Sequence, residues 1–372
     1  MLHTSNIVFY GILKGGFGWP GGGIDDPGVL DDIRHCLNPK ASQKFSDNIG
    51  VDLVKFFNSW PETGEKALFD ISHATMHPVS TQLFGDRYSF EQCPHLRKNI
   101  VEFDVEVVKA IYQEPLDNVE QHVTARRNLE KSVEDALDAG DNTHSGKSPI
   151  LEVVYGKKKV PKKWGKFGIS NIWAAQGNTI PATFWCMAYI LNDRERYARV
   201  RTEIDEHLKD QPNADGQFDE SNLKFLECCF KEALRLKATG AEFRVCLQDH
   251  KIETRGKKYQ IKKGETLYNS SYFMHHNQDI YEDVESFVPE RWEDPKYLRS
   301  LPQYSFTPFG AGSHVCAGRF LATREIFIFI ALLFCEFDCK LSSPWPDTLW
   351  NNAIGVVRPA TDLKFTYTRR KK

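Results

Sequence analysis

The sequence predicts an α+β fold that is mostly α-helical. Long stretches of the chain place apolar residues at helical spacing, and the nearly uncharged segment from Ile169 to Leu191 indicates a helix buried inside a large core. The β-favourable segments are short and lie in the second half, at Phe243 to Ile261 and Ala353 to Thr368. Short strands beside long helices therefore predict small sheets on a helical body.

Composition narrows the functional class. The 372 residues are 41% hydrophobic and 26% charged, which is typical of a globular protein and excludes disorder, collagen and a polytopic membrane protein. Forty-eight basic residues oppose 50 acidic ones, so the chain has no overall basic field and nucleic acid is not an expected partner. The longest apolar run, Ile326 to Cys335, is well short of the roughly 20 residues that cross a bilayer.

The elements follow in order along the chain. Helical spacing occurs at Val51 to Trp60, Ala67 to Phe84, Ile100 to Ile111, Val119 to Leu137, Asp219 to Leu236 and Arg319 to Phe334. Residues 138–166 contain Gly, Pro, Ser and a lysine cluster, which predicts a surface connection before the central helix. Pro181 lies within that helix and has no N–H for the carbonyl of Gly177, so the helix should open one turn before it.

Nine cysteines form an odd set without disulfide or zinc-ribbon spacing, which fits a reducing compartment and allows one of them a special task. Cys316 is the candidate, because it directly precedes the apolar helix that starts near Arg319. The unpaired N–H groups of a helix N-terminus stabilise a thiolate, so we expect a lowered pKa for Cys316. A thiolate is a nucleophile or a soft metal ligand.

The cysteine lies in a glycine-rich segment that reads Phe309-Gly-Ala-Gly312-Ser-His314-Val-Cys316-Ala-Gly318. Gly312 permits a tight turn, Gly318 allows a large group to approach the backbone, and Phe309 shields the sulfur from water. The segment resembles the haem-ligand loop of the cytochrome P450 monooxygenases, Phe-x-x-Gly-x-x-x-Cys-x-Gly, at all four fixed positions.

Two further motifs strengthen the resemblance. Glu232-Ala-Leu-Arg235 places its two charges at i, i+3 on one helix face, and Pro289-Glu-Arg291-Trp292 follows later in the chain. In the family these charged residues form a buried triad that braces the cysteine loop, so the resemblance implies this structural role for Glu232, Arg235 and Arg291. Such a network is retained when all its partners are satisfied.

The resemblance also implies the cofactor and its contacts. Cys316 would be the axial ligand of the iron of haem b, with Phe309, Gly312 and Gly318 around it. His314 stands where the family often has a basic residue that binds a haem propionate. Arg244 resembles the other propionate contact, although an Arg that enters a strand is as often a surface charge.

Thr179 and Asn178, at the expected helix opening, would guide protons as the catalytic residues. The family usually has an acid before this threonine, whereas this chain has Asn178. The run from Trp173 to Trp185 resembles the sterol 7α-hydroxylase branch, which is grouped with oxysterol 7α-hydroxylases and prostacyclin synthase. Ala174, Ala175 and Gly177 would form a shallow wall for a flat substrate, or serve helix packing.

The implied protein is one cytochrome P450 domain over residues 1–372, with a long kinked central helix, that inserts oxygen into a sterol or oxysterol, with 7α-hydroxylation expected. Electrons would come from NADPH through a reductase, at the endoplasmic reticulum membrane.

No counterpart of the family's membrane anchor, first sheet or Trp-x-x-x-Arg helix is found, so a shortened form is expected, with membrane association only for a full-length form. The alternatives are an isomerase like prostacyclin synthase, which needs no reductase, and a degenerate haem-binding fragment without activity.

Overall fold

A computed structural model describes residues 2–4, 27–107, 109, 119–138, 150, 165–207, 218–254, 256–312, 315–350 and 355–371. The helices are α1 (Pro27–Cys36), α2 (Pro39–Asn58), α3 (Leu68–Ser72), α4 (Met76–Phe84), α5 (Leu96–Val105), α6 (Glu120–Asp138), α7 (Gly165–Gln176), α8 (Thr179–Leu191), α9 (Arg194–His207), α10 (Lys224–Lys237), α11 (Ser271–His275), α12 (Pro295–Ser300) and α13 (Arg319–Glu336). Short 3₁₀ turns cover His73–Thr75, Asp86–Tyr88 and Pro289–Trp292. The mostly helical α+β class is confirmed.

The strands are β1 (Leu2–Thr4), β2 (Thr63–Ala67), β3 (Ala241–Cys246), β4 (His250–Thr254), β5 (Lys257–Ile261), β6 (Thr266–Ser270), β7 (Phe337–Leu341), β8 (Thr348–Leu349), β9 (Arg358–Pro359) and β10 (Lys364–Arg369). They form small antiparallel sheets with the orders β1-β3-β6, β2-β10-β7, β4-β5 and β8-β9. Each sheet is small, so the helices supply most of the core.

The predicted central helix is interrupted one turn before Pro181. The segment from Ile169 to Leu191 is two helices, α7 and α8, separated at Gly177 and Asn178. Apart from Tyr189 and Leu191, every residue of α8 is buried, as its uniformly apolar sequence predicts. The opening before Pro181 is therefore confirmed.

The boundaries at the start of the chain differ from the prediction. α2 begins at Pro39, because the side chain of Asn38 accepts a hydrogen bond from Ala41 N at 3.0 Å and caps the helix. The helix expected over Ala67 to Phe84 is instead the pair α3 and α4, which follows strand β2. Asp362 accepts hydrogen bonds from the first backbone N–H groups of α3, a contact from the far end of the chain.

The other predicted helices correspond to α5, α6, α10 and α13, whereas α1, α9, α11 and α12 were not predicted. Most of the expected surface connection at 138–166 lies outside the described residues. In the part of the chain that the structure describes, no helix is both long and apolar enough to cross a membrane.

The helix pair α2 and α13 forms one side of the core, and α8 packs against α10 and α13 at its centre. Gly50 is buried in α2, and a Cβ at this position would overlap the ring of Phe218. The ring is itself buried, so it has little room to move away. Gly50 is therefore required by packing.

We expect Gly50→Ala to lower the free energy of unfolding by about 1–3 kcal/mol, because the added methyl group overpacks the contact with Phe218. Urea denaturation measures this change. Val51→Ala, at the exposed neighbouring position, is the matched control and should change stability little. A Gly50→Ala protein as stable as the wild type would contradict the packing role, since alanine is otherwise the better helix residue.

Candidate active site

The loop before α13 presents Cys316 at the start of the helix. Cys316 N donates to Phe309 O at 2.9 Å, and Gly310 N donates to Thr307 O at 3.0 Å, so backbone bonds close the loop on itself. Gly310 and Gly312 have φ values of 74° and 69°, in the left-handed region that favours glycine. The two glycines therefore permit the turns that bring the cysteine to the helix N-terminus.

Cys316 differs from the other eight cysteines, because it is the exposed one of the nine. It is nevertheless surrounded by protein atoms: burial raises the pKa of its thiol, against the lowering effects of the Gly318 and Arg319 backbone N–H groups and of the Arg319 charge. A side chain that is both accessible and desolvated lies in a recess. The lowered pKa that the helix N-terminus predicts is therefore wrong for the free thiol, because desolvation outweighs the dipole.

The three predicted triad residues lie together in the interior. Glu232 pairs with Arg235 at 2.8 Å and with Arg291 at 3.2 Å, and the carboxylate also accepts hydrogen bonds from Trp292 Nε1 and Val288 N. Both members of the Glu232–Arg235 pair are fully buried. The network joins α10 to the 3₁₀ turn Pro289–Trp292 and satisfies the buried carboxylate with five donor bonds.

His275 connects this network to the cysteine loop, which the sequence did not indicate. Arg235 Nη1 donates to the carbonyl of His275 at 2.9 Å, and the ring Nε2 of His275 accepts from Thr307 N at 3.0 Å. Burial lowers the pKa of His275 to about 3, so the ring is neutral and can accept at Nε2. Thr307 in turn belongs to the loop that closes on Cys316, so the triad is connected to the loop through one histidine.

The two predicted catalytic residues, Asn178 and Thr179, lie side by side at the helix opening and have different partners. Thr179 is buried at the first position of α8, and its hydroxyl lies 3.4 Å from the carbonyl of Ala175. Asn178 Oδ1 accepts a hydrogen bond from Val356 N at 2.9 Å. Asn178 therefore anchors a distant segment of the chain to the opening, a contact that its position in the sequence does not reveal.

That segment approaches the helix closely because it contains glycine. Gly355 has φ 78°, and a Cβ there would overlap the side chain of Asn178. Thr239, just after α10, donates to Gly355 O from both its backbone N–H and its hydroxyl. The opening in the central helix, the end of α10 and residues 355–357 are thus bonded together.

The remaining predicted residues occupy separate positions. Phe309 is half-buried and packs on the core. Arg244 lies in β3, where its backbone is in register with Thr4 and Leu267, and His314 lies outside the described residues. Ala174 is exposed on α7, whereas Gly177 is buried and a Cβ there would touch Trp173 at 3.0 Å. Gly177 therefore serves helix packing, and the alanines alone remain as a candidate wall.

Glu325 was also missed. It lies on α13, is 1% exposed, and burial raises the pKa of its carboxyl group to about 8, against the lowering influence of Thr179. An acidic residue directly before the apolar run Ile326 to Cys335 of a predicted helix is the signal that could have indicated it.

Comparisons with known proteins indicate the family and the fold. The sequence profile of the family "Cytochrome P450" matches residues 167–367, more than half of the chain. The solved structure titled "Retinoic acid bound cyanobacterial CYP120A1" is similar with a TM-score of 0.79 at 16% identity, and the similarity covers 99% of this chain and 85% of that one. At this identity, the structural similarity shows the fold.

Among curated relatives, mouse 24-hydroxycholesterol 7-alpha-hydroxylase is 28% identical over 247 residues, or 65% of this chain and 51% of the relative. Pig cytochrome P450 7A1 is 28% identical over 220 residues, or 54% and 44%. Human 7-alpha-hydroxycholest-4-en-3-one 12-alpha-hydroxylase is 29% identical over 224 residues, or 54% and 44%. The matches span about half the length of these relatives, at modest identity.

We expect Glu232→Ala to lower the free energy of unfolding by about 3–5 kcal/mol, because it leaves two arginine charges uncompensated in the interior. Thermal or urea unfolding of the haem-free chain measures the loss without reference to activity. Glu227→Ala on the same helix removes a half-exposed partner of Lys231 and is the matched control, with an expected change below about 1 kcal/mol. Equal stability of the two variants would show that the network does not brace the fold.

Proposed function

The chain belongs to the cytochrome P450 family, and on that premise we propose that it is a haem-thiolate monooxygenase that inserts one oxygen atom of O2 into a sterol or oxysterol. The observation that carries this proposal is Cys316, the exposed cysteine of the nine, held in a recess at the start of α13 by a braced loop. Residues 1–372 act as one domain in this proposal.

The residues around Cys316 fit a haem. A Cβ built on Gly312 would meet no atom within 4 Å, and one built on Gly318 would meet Cys316 Sγ at 4.0 Å, so the backbone beside the sulfur is open to a large flat group. Cys316 would ligate the iron of haem b, with Gly312, Gly318 and Phe309 around it and His314 and Arg244 toward its propionates. When bound, the haem supplies oxygen activation, with electrons from NADPH through a reductase.

The protein's own residues manage water and protons. Phe309 is half-buried and shields the sulfur, which preserves its electron-donating character. Thr179 presents a hydroxyl at the helix opening and can accept a proton on one side while it releases its own on the other. Asn178 secures the opening through Val356, so in this chain its part is to position Thr179.

A sterol is the substrate class that the relatives favour. Their names describe 7-alpha- and 12-alpha-hydroxylases of sterol-derived compounds, and the run from Trp173 to Trp185 resembles the 7α-hydroxylase branch. Exposed Ala174 and half-buried Ala175 present small side chains, which suits a rigid apolar body that loses little entropy on binding. We propose 7α-hydroxylation, at the endoplasmic reticulum membrane, as the specific reaction.

Cys316→His should abolish the red-shifted Soret band that reduced haem-thiolate proteins give with carbon monoxide, because imidazole replaces the thiolate as axial ligand. Absorption spectroscopy of the haem-loaded, reduced protein measures this directly. Cys93→Ala removes a half-buried thiol and should leave the band unchanged. A thiolate-type band that persists in Cys316→His would disprove the ligand assignment.

A sterol or oxysterol should shift the haem from low spin to high spin and be converted to a 7α-hydroxylated product with reductase and NADPH. Ala174→Phe should weaken this binding by about tenfold or more, because the ring fills the space beside the alanine wall. Ala198→Phe, at an exposed position on α9, is the control.

Two results would contradict the sterol proposal. Isomerisation of a prostaglandin endoperoxide without NADPH, together with no response to sterols, would replace it by the isomerase alternative. Tight haem binding without turnover of any compound in either assay would identify a degenerate haem-binding protein.

A further inference from the structure

Lys237, the last residue of α10, is a buried cation without an acidic partner. It is 9% exposed, and within the described part of the chain no carboxylate lies at ion-pair distance from its Nζ. The other buried Lys and Arg side chains of the described residues, Arg235 and Arg291, both pair with Glu232. A buried ammonium group that lacks an anion is costly, so its retention calls for an explanation other than packing.

Two indole rings and one hydroxyl group surround the ammonium group. Lys237 Nζ lies 4.1 Å from the ring centroid of Trp185 and 5.7 Å from that of Trp350, within the range at which aromatic faces attract a cation. It also donates a hydrogen bond to Thr348 Oγ1 at 2.8 Å. The hydroxyl of Thr348 keeps its own hydrogen for an acceptor, as the ammonium group keeps two of its three. The site therefore holds more donors than the described residues satisfy.

The two rings differ in their freedom. Trp185 is fully buried, and its Nε1 donates to Val357 O at 2.7 Å, so this ring is a fixed inner wall. Trp350 is 48% exposed and contacts the ring of Tyr272 edge-on, with centroids 5.4 Å apart. The Nζ of Lys237 is thus separated from solvent on one side by a single half-exposed ring.

The charges around Lys237 leave it mostly protonated at neutral pH. Burial lowers its pKa to about 8, and the charge of the exposed Glu285 opposes this shift. Helix α8, which carries Trp185, has no Asp, Glu, Lys or Arg. The other titratable groups on neighbouring segments are Tyr272, His276, whose pKa is also lowered by burial, Asp347, which is exposed, and Arg358, which pairs with Asp104.

We propose that Lys237 and Thr348 bind the carboxylate of a monoanionic ligand whose flat apolar body packs against Trp350. One carboxylate oxygen accepts from Lys237 Nζ and the other from the Thr348 hydroxyl, two donor atoms that lie 2.8 Å apart. A single cation matches a single negative charge, and the nearby Glu285 disfavours a dianion such as phosphate. This site is additional to the proposed haem chemistry and does not depend on it.

Calorimetric titration of the full chain with naphthoate tests the proposal without turnover. We expect saturable binding, and naphthamide, its neutral isostere, should bind at least about tenfold more weakly, because it forms no charge-assisted hydrogen bond. Lys237→Met keeps an apolar stem against Trp185 and should weaken naphthoate binding by about tenfold or more. Lys231→Met, on the same helix and paired with Glu227 in the wild type, is the matched control and should bind as the wild type does.

Two further readouts do not require replacement of the lysine. Thr348→Val removes the second donor and should weaken naphthoate binding by about two- to tenfold. In the wild type the affinity should be constant at neutral pH and fall as the pH rises through about 8, since the ammonium group is lost while naphthoate stays ionised. In Lys237→Met the residual affinity should not change over this range.

Thermal unfolding of each variant verifies that it is folded. The inference is overturned if the folded wild type gives no saturable binding of naphthoate up to millimolar concentrations, if naphthamide binds equally well, or if Lys237→Met binds as the wild type does. If Lys237→Met does not fold, wild-type binding that is unaffected by Thr348→Val and by pH overturns it instead. Because no NADPH or sterol enters these titrations, their failure leaves the proposed monooxygenase function intact.

Discussion

The site depends on the set of hydrogen bonds that the carboxylate of Glu232 accepts. It is fully buried and accepts hydrogen bonds from Arg235, Arg291, Trp292 and Val288 N. Desolvating these charges is costly, and only a complete set of partners offsets that cost. Arg235 extends the network to the carbonyls of His275, Val284 and Ser286. The loop before α13 can therefore hold Cys316 in a recess although its own backbone contains two left-handed glycines.

The two residues at the opening in the central helix contact different parts of the protein. Pro181 removes one backbone bond, and the two residues at the resulting opening, Asn178 and Thr179, have different partners. Asn178 contacts Val356 in the C-terminal segment, whereas Thr179 contacts Glu325 on the helix that begins beside Cys316. One side of the opening is thus fixed by a neutral amide, and the other lies beside a buried carboxyl group.

The sequence predicted those features that depend on local spacing. The positions of Glu232 and Arg235 on one helix face, the helix opening before Pro181, and the helix after Cys316 all follow from a few neighbouring residues. The start of α3 did not, because its cap is Asp362 at the far end of the chain. The contacts of His275 and Asn178 were missed for the same reason. The pKa of Cys316 was predicted in the wrong direction, since a helix N-terminus is visible in sequence and desolvation is not.

A crystal structure of the haem-loaded protein, with anomalous diffraction measured at the iron absorption edge, would test Cys316 as the haem ligand. If Cys316 binds the iron, one strong anomalous peak lies at bonding distance from Cys316 Sγ, on the side open at Gly312 and Gly318, with the Glu232 network intact. An iron peak away from Cys316, or a haem ligated by another side chain, would contradict it.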